Sequence, residues 1–173
     1  EFQFAVSSNY FFEISKLRAF RSLWKILMDD YNLKTKASLY VLPSFRNKTI
    51  YDYNVNLLRT TTESMSAILG GADTISNLAY DSVYHKKNEF GERIARNQLI
   101  LLQEESYFKE AANAADGSYY IETLTQQIAE KAVEGREGDR EQGDRHQDRS
   151  AAADEVKRRA AARHALQPGG QPG

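Results

Sequence analysis

The chain has 173 residues, 41% of them apolar, a formal charge of −1 and no cysteine. That balance suits a globular protein with one core. Near-neutral charge leaves no basic footprint for DNA or RNA, and without thiols there are no disulfides, thiolate metal sites or cysteine nucleophile. No run approaches the ~18 uninterrupted apolar residues of a membrane span and no basic-then-apolar leader opens the chain, so the expected location is the cytoplasm.

The sequence opens on Glu1-Phe2-Gln3-Phe4 without a methionine, inside what reads as a strand, as a cut piece of a longer protein would. Phe2, Phe4 and Val6 alternate with Gln3 and Ala5, the period of a strand buried on one face. Ser7, Ser8 and Asn9 supply capping chemistry. Tyr10, Ile14, Leu17, Phe20, Trp24, Leu27 and Tyr31 then recur every three or four residues, on one stripe of a helix. Residues 32–36 form a polar connection to a compact strand over 37–42, stopped by Pro43. Asp52 can cap a second helix whose inward spacing is Val55, Leu58, Met65 and Leu69, completed by Thr62 and ended by Gly70-Gly71. A brief strand over 73–77 and a loop over 78–88 lead to a third helix over about 89–106, with Phe90, Ile94 and Leu101 facing one way. After the turn Asp116-Gly117-Ser118, Tyr120, Leu124 and Ile128 mark a last helix over about 119–132.

Strands alternating with helices through short links predict parallel βαβ units. A doubly wound sheet and a barrel segment both satisfy the pattern. A full (β/α)₈ barrel takes ~250 residues, so this chain holds at most a segment of one, with strand edges that a closed barrel would pair.

Composition changes abruptly after residue 133. Residues 1–133 hold every aromatic and mix nine Lys with six Arg; residues 134–173 have seven Arg, one Lys, six Gly and eight acidic residues, with only Val156 and Leu166 as large apolar groups. Such a tail cannot bury enough surface to offset its ordering entropy, so it is expected to be disordered, with a transient helix over the Ala- and Arg-rich run 151–163. Two origins remain open for it: an out-of-frame or chimeric end, or a natural charged linker.

The usual chemistry is missing. Of three histidines, 146 and 164 lie in the tail, and His85 reads as a surface loop residue. There is no Gly-rich phosphate loop; Gly70-Gly71 reads as a helix stop needing positive φ. Ser76 and Ser118 lack a His and Asp arrangement that would activate them. Arg59-Thr60-Thr61-Thr62-Glu63 places three β-branched residues in a helix at a cost in propensity. Their small hydroxyl side chains would let helix and sheet approach while bonding backbone carbonyls, or would meet a ligand or another subunit. Arg93 and Arg96 sit beside Glu89 and Glu92, with Glu89 and Arg93 in the favourable i,i+4 order of a solvated or subunit-facing surface.

Three passages together resemble the acyl-CoA mutase family of which methylmalonyl-CoA mutase is a member. They are Phe11-Phe12-Glu13-Ile14-Ser15-Lys16-Leu17-Arg18-Ala19 with Leu23-Trp24, then Arg59-Thr60-Thr61-Thr62-Glu63-Ser64-Met65 with Gly70-Gly71, then Glu92-Arg93-Ile94-Ala95-Arg96-Asn97-Gln98 with Gln103-Glu104-Glu105-Ser106. Asp116-Gly117-Ser118-Tyr119-Tyr120-Ile121-Glu122 resembles the family's later Gly-Ser-Tyr turn. The resemblance covers nearly all of residues 2–133. It implies an α/β chain forming the last few βα units of a (β/α)₈ TIM barrel that binds acyl-CoA along its axis and caps a cobalamin carried elsewhere.

The departures from the family pattern matter equally. Catalytic chains carry Arg-x-His-x-Gln and then Ser-Gly-Trp where this one has Ser38, Tyr40 and Leu42, then Ser44, Phe45 and Arg46. Gln-Ser is replaced by Asp73 and Thr74, and a Glu near the adenosyl ribose by Ser82 after Asp81. No Asp-x-His-x-x-Gly run exists to place a histidine under cobalt. The resemblance therefore implies the small, non-catalytic subunit of a heterodimeric mutase. In that reading Ser38, Tyr40, Leu42, Asp73, Thr74 and Ser82 are pocket positions that have lost their ligand groups, with no catalytic or metal residues here. Adenosylcobalamin and acyl-CoA would then be bound by a large catalytic partner. A diverged catalytic chain and a non-functional gene remnant are the rival readings.

Overall fold

The computed structural model describes residues 1–86, 88–110 and 113–135. β1 (Phe2–Val6), β2 (Leu39–Pro43) and β3 (Thr74–Ile75) form one parallel sheet in the order β1-β2-β3. Between and after them run α1 (Tyr10–Asp30), α2 (Val55–Leu69) and α3 (Glu89–Glu104), then a single 3₁₀ turn (Phe108–Glu110). A fourth helix, α4, covers residues 119–135. The architecture is α/β with a small parallel sheet, and residues 1–130 make up one unit. Almost all of the charged tail lies outside the described residues; Glu134 and Gly135 close α4, three residues beyond the expected end.

β1 and α1 follow the sequence pattern. Asn9 caps α1 by accepting from the Phe12 N–H, and Glu13 reaches back to accept from the Ser7 N–H and hydroxyl at 3.1 and 2.8 Å, joining the strand's end to the helix's first turn. Ile14 and Leu17 are fully buried, and Phe20 and Trp24 meet Phe2 edge-on at 4.8 and 4.9 Å. Val6, Leu17, Ala37, Leu39, Val41 and Ala67 form the main core, with Phe4 and Ile75 packed on it. Leu17 of α1 and Ala67 of α2 thus pack on the same strand residues. Successive strand residues alternate sides, which turns Gln3, Ala5, Tyr40, Leu42 and Thr74 to the other face. That face is only partly covered: Gln3, Ala5 and Thr74 are exposed, Tyr40 and Leu42 half-buried.

α2 departs from expectation. Asp52 does contribute, but through its carbonyl, which accepts from the Val55 N–H, and Asn54 occupies the cap position without a side-chain bond. Leu58, placed on the inward stripe by spacing, is 70% exposed, whereas Asn56, Thr60, Glu63, Ser64 and Ser66 are buried. The inner face of this helix is largely polar, and Asn56, Thr60, Glu63 and Ser66 find partners there, while Ser64 Oγ has none among the described residues. α3 differs in the same way: Phe90 and Leu101 are exposed, while Gly91, Ala95 and Leu102 face inward. On α4 the buried residues are Ile121 and Thr125, one position on from the expected Tyr120 and Leu124. The helix stop at 70–71 divides its labour. Gly71 takes the left-handed φ of +80°, while Gly70 is needed for space, since a Cβ there would stand 2.9 Å from Leu17 Cδ1.

Candidate functional site

In a sheet of parallel strands, the loops after the strands' C-terminal ends are where ligands meet a βα fold. Two such loops, residues 44–54 and the described residues of 76–88, are tied down here by polar side chains from α2 and α3. Asn56 accepts from the Thr49 N–H at 3.0 Å and donates to Thr49 O and Tyr80 O, both at 2.9 Å, joining the two loops through one amide. Gln98 donates to Leu57 O at 2.9 Å and Thr61 Oγ1 at 2.7 Å, and accepts from Asn77 Nδ2 at 3.0 Å. The threonine run behaves as its chemistry suggested: Thr60 and Thr61 donate to Asn56 O and Leu57 O at 2.9 and 2.7 Å.

Beneath the first loop lies a buried ion pair. Lys48 Nζ stands 2.5 Å from Glu63 Oε2, with side chains 2% and 1% exposed, and Asn47 Nδ2 also donates to Glu63. Burial pushes the Lys48 ammonium below its ordinary value in spite of the carboxylate beside it. Arg59 donates to Asn47 O, so the loop is gripped from two turns of α2. In the second loop Asp81 is buried and accepts from Asn88 Nδ2 at 2.6 Å, with His85 Nδ1 at 3.3 Å. Gly91 makes room for it, since a Cβ there would lie 2.5 Å from Asp81 Oδ1. His85 is a surface loop residue, as expected, 58% exposed at its side chain. Arg93 lies over the Phe90 ring at 5.4 Å, and no ion pair with Glu89 forms among the described residues.

The six positions singled out by sequence do not converge. Ser38 and Asp73 lie at the N-terminal ends of β2 and β3. Asp73 Oδ2 accepts from the Leu39 N–H at 2.7 Å and from Arg21 at 2.7 Å. Its desolvation would raise its pKa, but these two bonds together with the positive charges of Arg21 and Lys36 outweigh it and hold the carboxyl below the usual value. Tyr40 and Thr74 are register partners on the open face. With Ser76, Ala79, Glu92 and Arg96 they line a cleft of about 340 Å³ beside α3. Leu42 is two residues further along β2, and Ser82 lines a separate cleft with Asp81 and His85. Pattern reading missed Asn56, Gln98 and the Lys48–Glu63 pair. Their signal was the polar cluster at helical spacing, Asn56, Thr60 and Glu63, which an apolar search passes over.

The site and sheet describe a βα-repeat protein whose loops at the strands' C-terminal ends are set by buried polar ties. The family model described as methylmalonyl-CoA mutase matches residues 1–162. The chain is 47% identical over 137 residues to "Methylmalonyl-CoA mutase small subunit" of Porphyromonas gingivalis, covering 76% of this chain and 22% of that protein. It is 40% identical over 136 residues to "Methylmalonyl-CoA mutase" of Cereibacter sphaeroides, and 34% over 135 residues to "Methylmalonyl-CoA mutase large subunit" of Porphyromonas gingivalis; each covers 76% of this chain and 19% of the relative. This chain belongs to the methylmalonyl-CoA mutase family. It spans about a fifth of the length of the curated relatives it matches.

Proposed function

We propose that this chain supplies the last βα units of a mutase barrel in a small, non-catalytic subunit that supports a large catalytic partner. Through that partner it would serve the interconversion of methylmalonyl-CoA and succinyl-CoA in the cytoplasm. The observation that carries the reading is the identity difference within one organism, 47% to the Porphyromonas small subunit against 34% to its large subunit. The sheet supports the barrel part. Parallel strands are normally covered on both faces, and the Gln3, Tyr40 and Thr74 row is only partly covered on the side that a closed barrel would turn to its axis. Among the described residues, no helix is long and apolar enough to cross a membrane.

The non-catalytic part rests on the polar groups left for a ligand. Asp73 is committed to Arg21 and the Leu39 amide, and Leu42 offers nothing polar. His85, the one histidine among the described residues, is engaged with Asp81. Of the six positions this leaves only the hydroxyls of Ser38, Tyr40, Thr74 and Ser82 for a thioester–nucleotide substrate or a corrin, whose polar groups would each cost ~1–3 kcal/mol if buried without a partner. Adenosylcobalamin belongs, in this reading, to the partner, and this chain holds the loops that face it. Residues 134–173 are taken as a segment apart from the barrel domain of 1–133.

Co-expression of an intact version with a large subunit tests the role: assembly and turnover should fall when it is omitted, and unchanged activity without it would refute the proposal. The rival, a diverged catalytic mutase, gains from the 40% identity to the Cereibacter protein. Calorimetric titration of the intact version with cobalamin and CoA esters separates the two, because tight binding of either favours the rival.

A further inference from the structure

The C-terminal half of α1 and the segment leading into β2 enclose a cleft of about 290 Å³, on the opposite side of the unit's chemistry from the loops above. Its shape is fixed by the helix end. Asn32 takes a left-handed φ of +53°, and Leu33 turns back to donate its N–H to Met28 O at 2.9 Å. Trp24 is pinned by its indole N–H donating to Thr35 O at 3.0 Å, with Phe2 and Phe20 packed behind it. Trp24, Met28 and Leu33 therefore make a preformed apolar wall.

The rim is cationic. Lys25, Lys34 and Lys36 are exposed, and none stands within 4.0 Å of a carboxylate among the described residues, although Asp73 is within Coulombic range of Lys36. Arg21 also borders the cleft, but it is spent on Asp73, Gly71 O and Ala37 O. Against three lysines stand Asp29 and the carbonyl end of α1, the latter worth roughly half a negative charge. The balance is positive, and the opening is smaller than most ligand pockets, which run from about 300 Å³ upward.

We propose that this cleft binds a small amphiphilic oxyanion, with an apolar chain against Trp24, Met28 and Leu33 and a carboxylate or phosphate on Lys34 and Lys36. The proposal does not depend on the subunit reading. Trp24 is the chain's single tryptophan, so its fluorescence reports on this cleft alone. The full chain is titrated with octanoate, octyl phosphate, 1-octanol and inorganic phosphate. A saturable emission change is expected with octanoate or octyl phosphate at concentrations at least about tenfold below that for octanol, equivalent to about 1.4 kcal/mol; the tighter of the two identifies the head group. Inorganic phosphate alone should leave the emission unchanged. The exposed pair Lys34→Glu and Lys36→Glu should abolish the preference while circular dichroism stays the same. Equal potency of octanol, a linear unsaturated response, or unaltered binding by the double variant would overturn it.

Discussion

Two seams join helices to the rest of this fold, and they are built from opposite chemistry. Where α1 meets the sheet, Leu17, Phe20 and Trp24 close over Phe2, Phe4, Leu39 and Val41, and shape and area do the work. Where α2 and α3 meet the loops after β2 and β3, the groups are the buried Asn56, Thr60 and Glu63 and the half-buried Gln98, each with named partners. The first seam asks mainly for apolar side chains of matching shape and volume, with Trp24 Nε1 donating to Thr35 O as a directional tie. The second is specific but fragile, because a satisfied polar group becomes a liability once its partner is removed. A fold that must present two loops in a fixed arrangement gains from the second kind, since hydrogen bonds have direction and apolar contacts do not.

The comparison breaks first at the ion pair. Glu63→Ala should cost ~3–5 kcal/mol in urea denaturation by leaving the Lys48 ammonium buried alone, whereas the double change Lys48→Met with Glu63→Leu should recover most of that loss. A double variant as unstable as the single one would mean that charge contributes nothing particular there. In the apolar seam, Leu17→Ala should cost about 3 kcal/mol by transfer and cavity terms, with no rescue by a polar partner.

A smaller effect is expected at Asp73. Its carboxyl is held below the usual range, so the stability it contributes is present above its unfolded value and is lost as pH falls through the lower folded one. Asp73→Asn should therefore lower stability slightly at neutral pH, by an amount kept small because the group is 48% exposed and solvent screens it, and should converge with the parent at acid pH, flattening that part of a stability–pH profile. Smallest of all is Leu58→Ser. With that side chain 70% exposed, the melting curve should move by no more than ~0.5 kcal/mol, and a larger loss would place Leu58 in a contact the isolated unit does not make.

The two seams also differ in how far sequence reveals them. The α1 stripe was readable because apolar residues at steps of three and four have one common explanation, burial, and Ile14 and Leu17 obey it. The α2 stripe misled for the same reason: Leu58 has the spacing but not the burial, since the helix turns Asn56, Thr60 and Glu63 inward instead. Whether a polar side chain is buried depends on partners distant in sequence. Gln98 meets Leu57 O across 41 residues, and no local period encodes that meeting. Helix ends were readable to within a few residues where a left-handed glycine marks them, as at Gly71. β3 shrank from five expected residues to two because only Thr74 and Ile75 find register partners on β2. The six pocket positions were readable only as departures from a family pattern; that Asp73 is spent on Arg21 required coordinates.

The register of the sheet also bears on the order of assembly. Phe2 faces Leu39 and Tyr40 faces Thr74, so each neighbouring pair of strands is separated by a whole helix of intervening chain. Closing such a span is entropically slow compared with forming a helical turn. α1 and α2 can therefore exist as fluctuating helices before any strand has found its mate. β2, bonded on both sides, is the piece whose arrival commits the rest. A nascent chain would hold β1 and α1 waiting until residue 43 had emerged, and the rate at which this unit matures is set by that delay rather than by the speed of its helices.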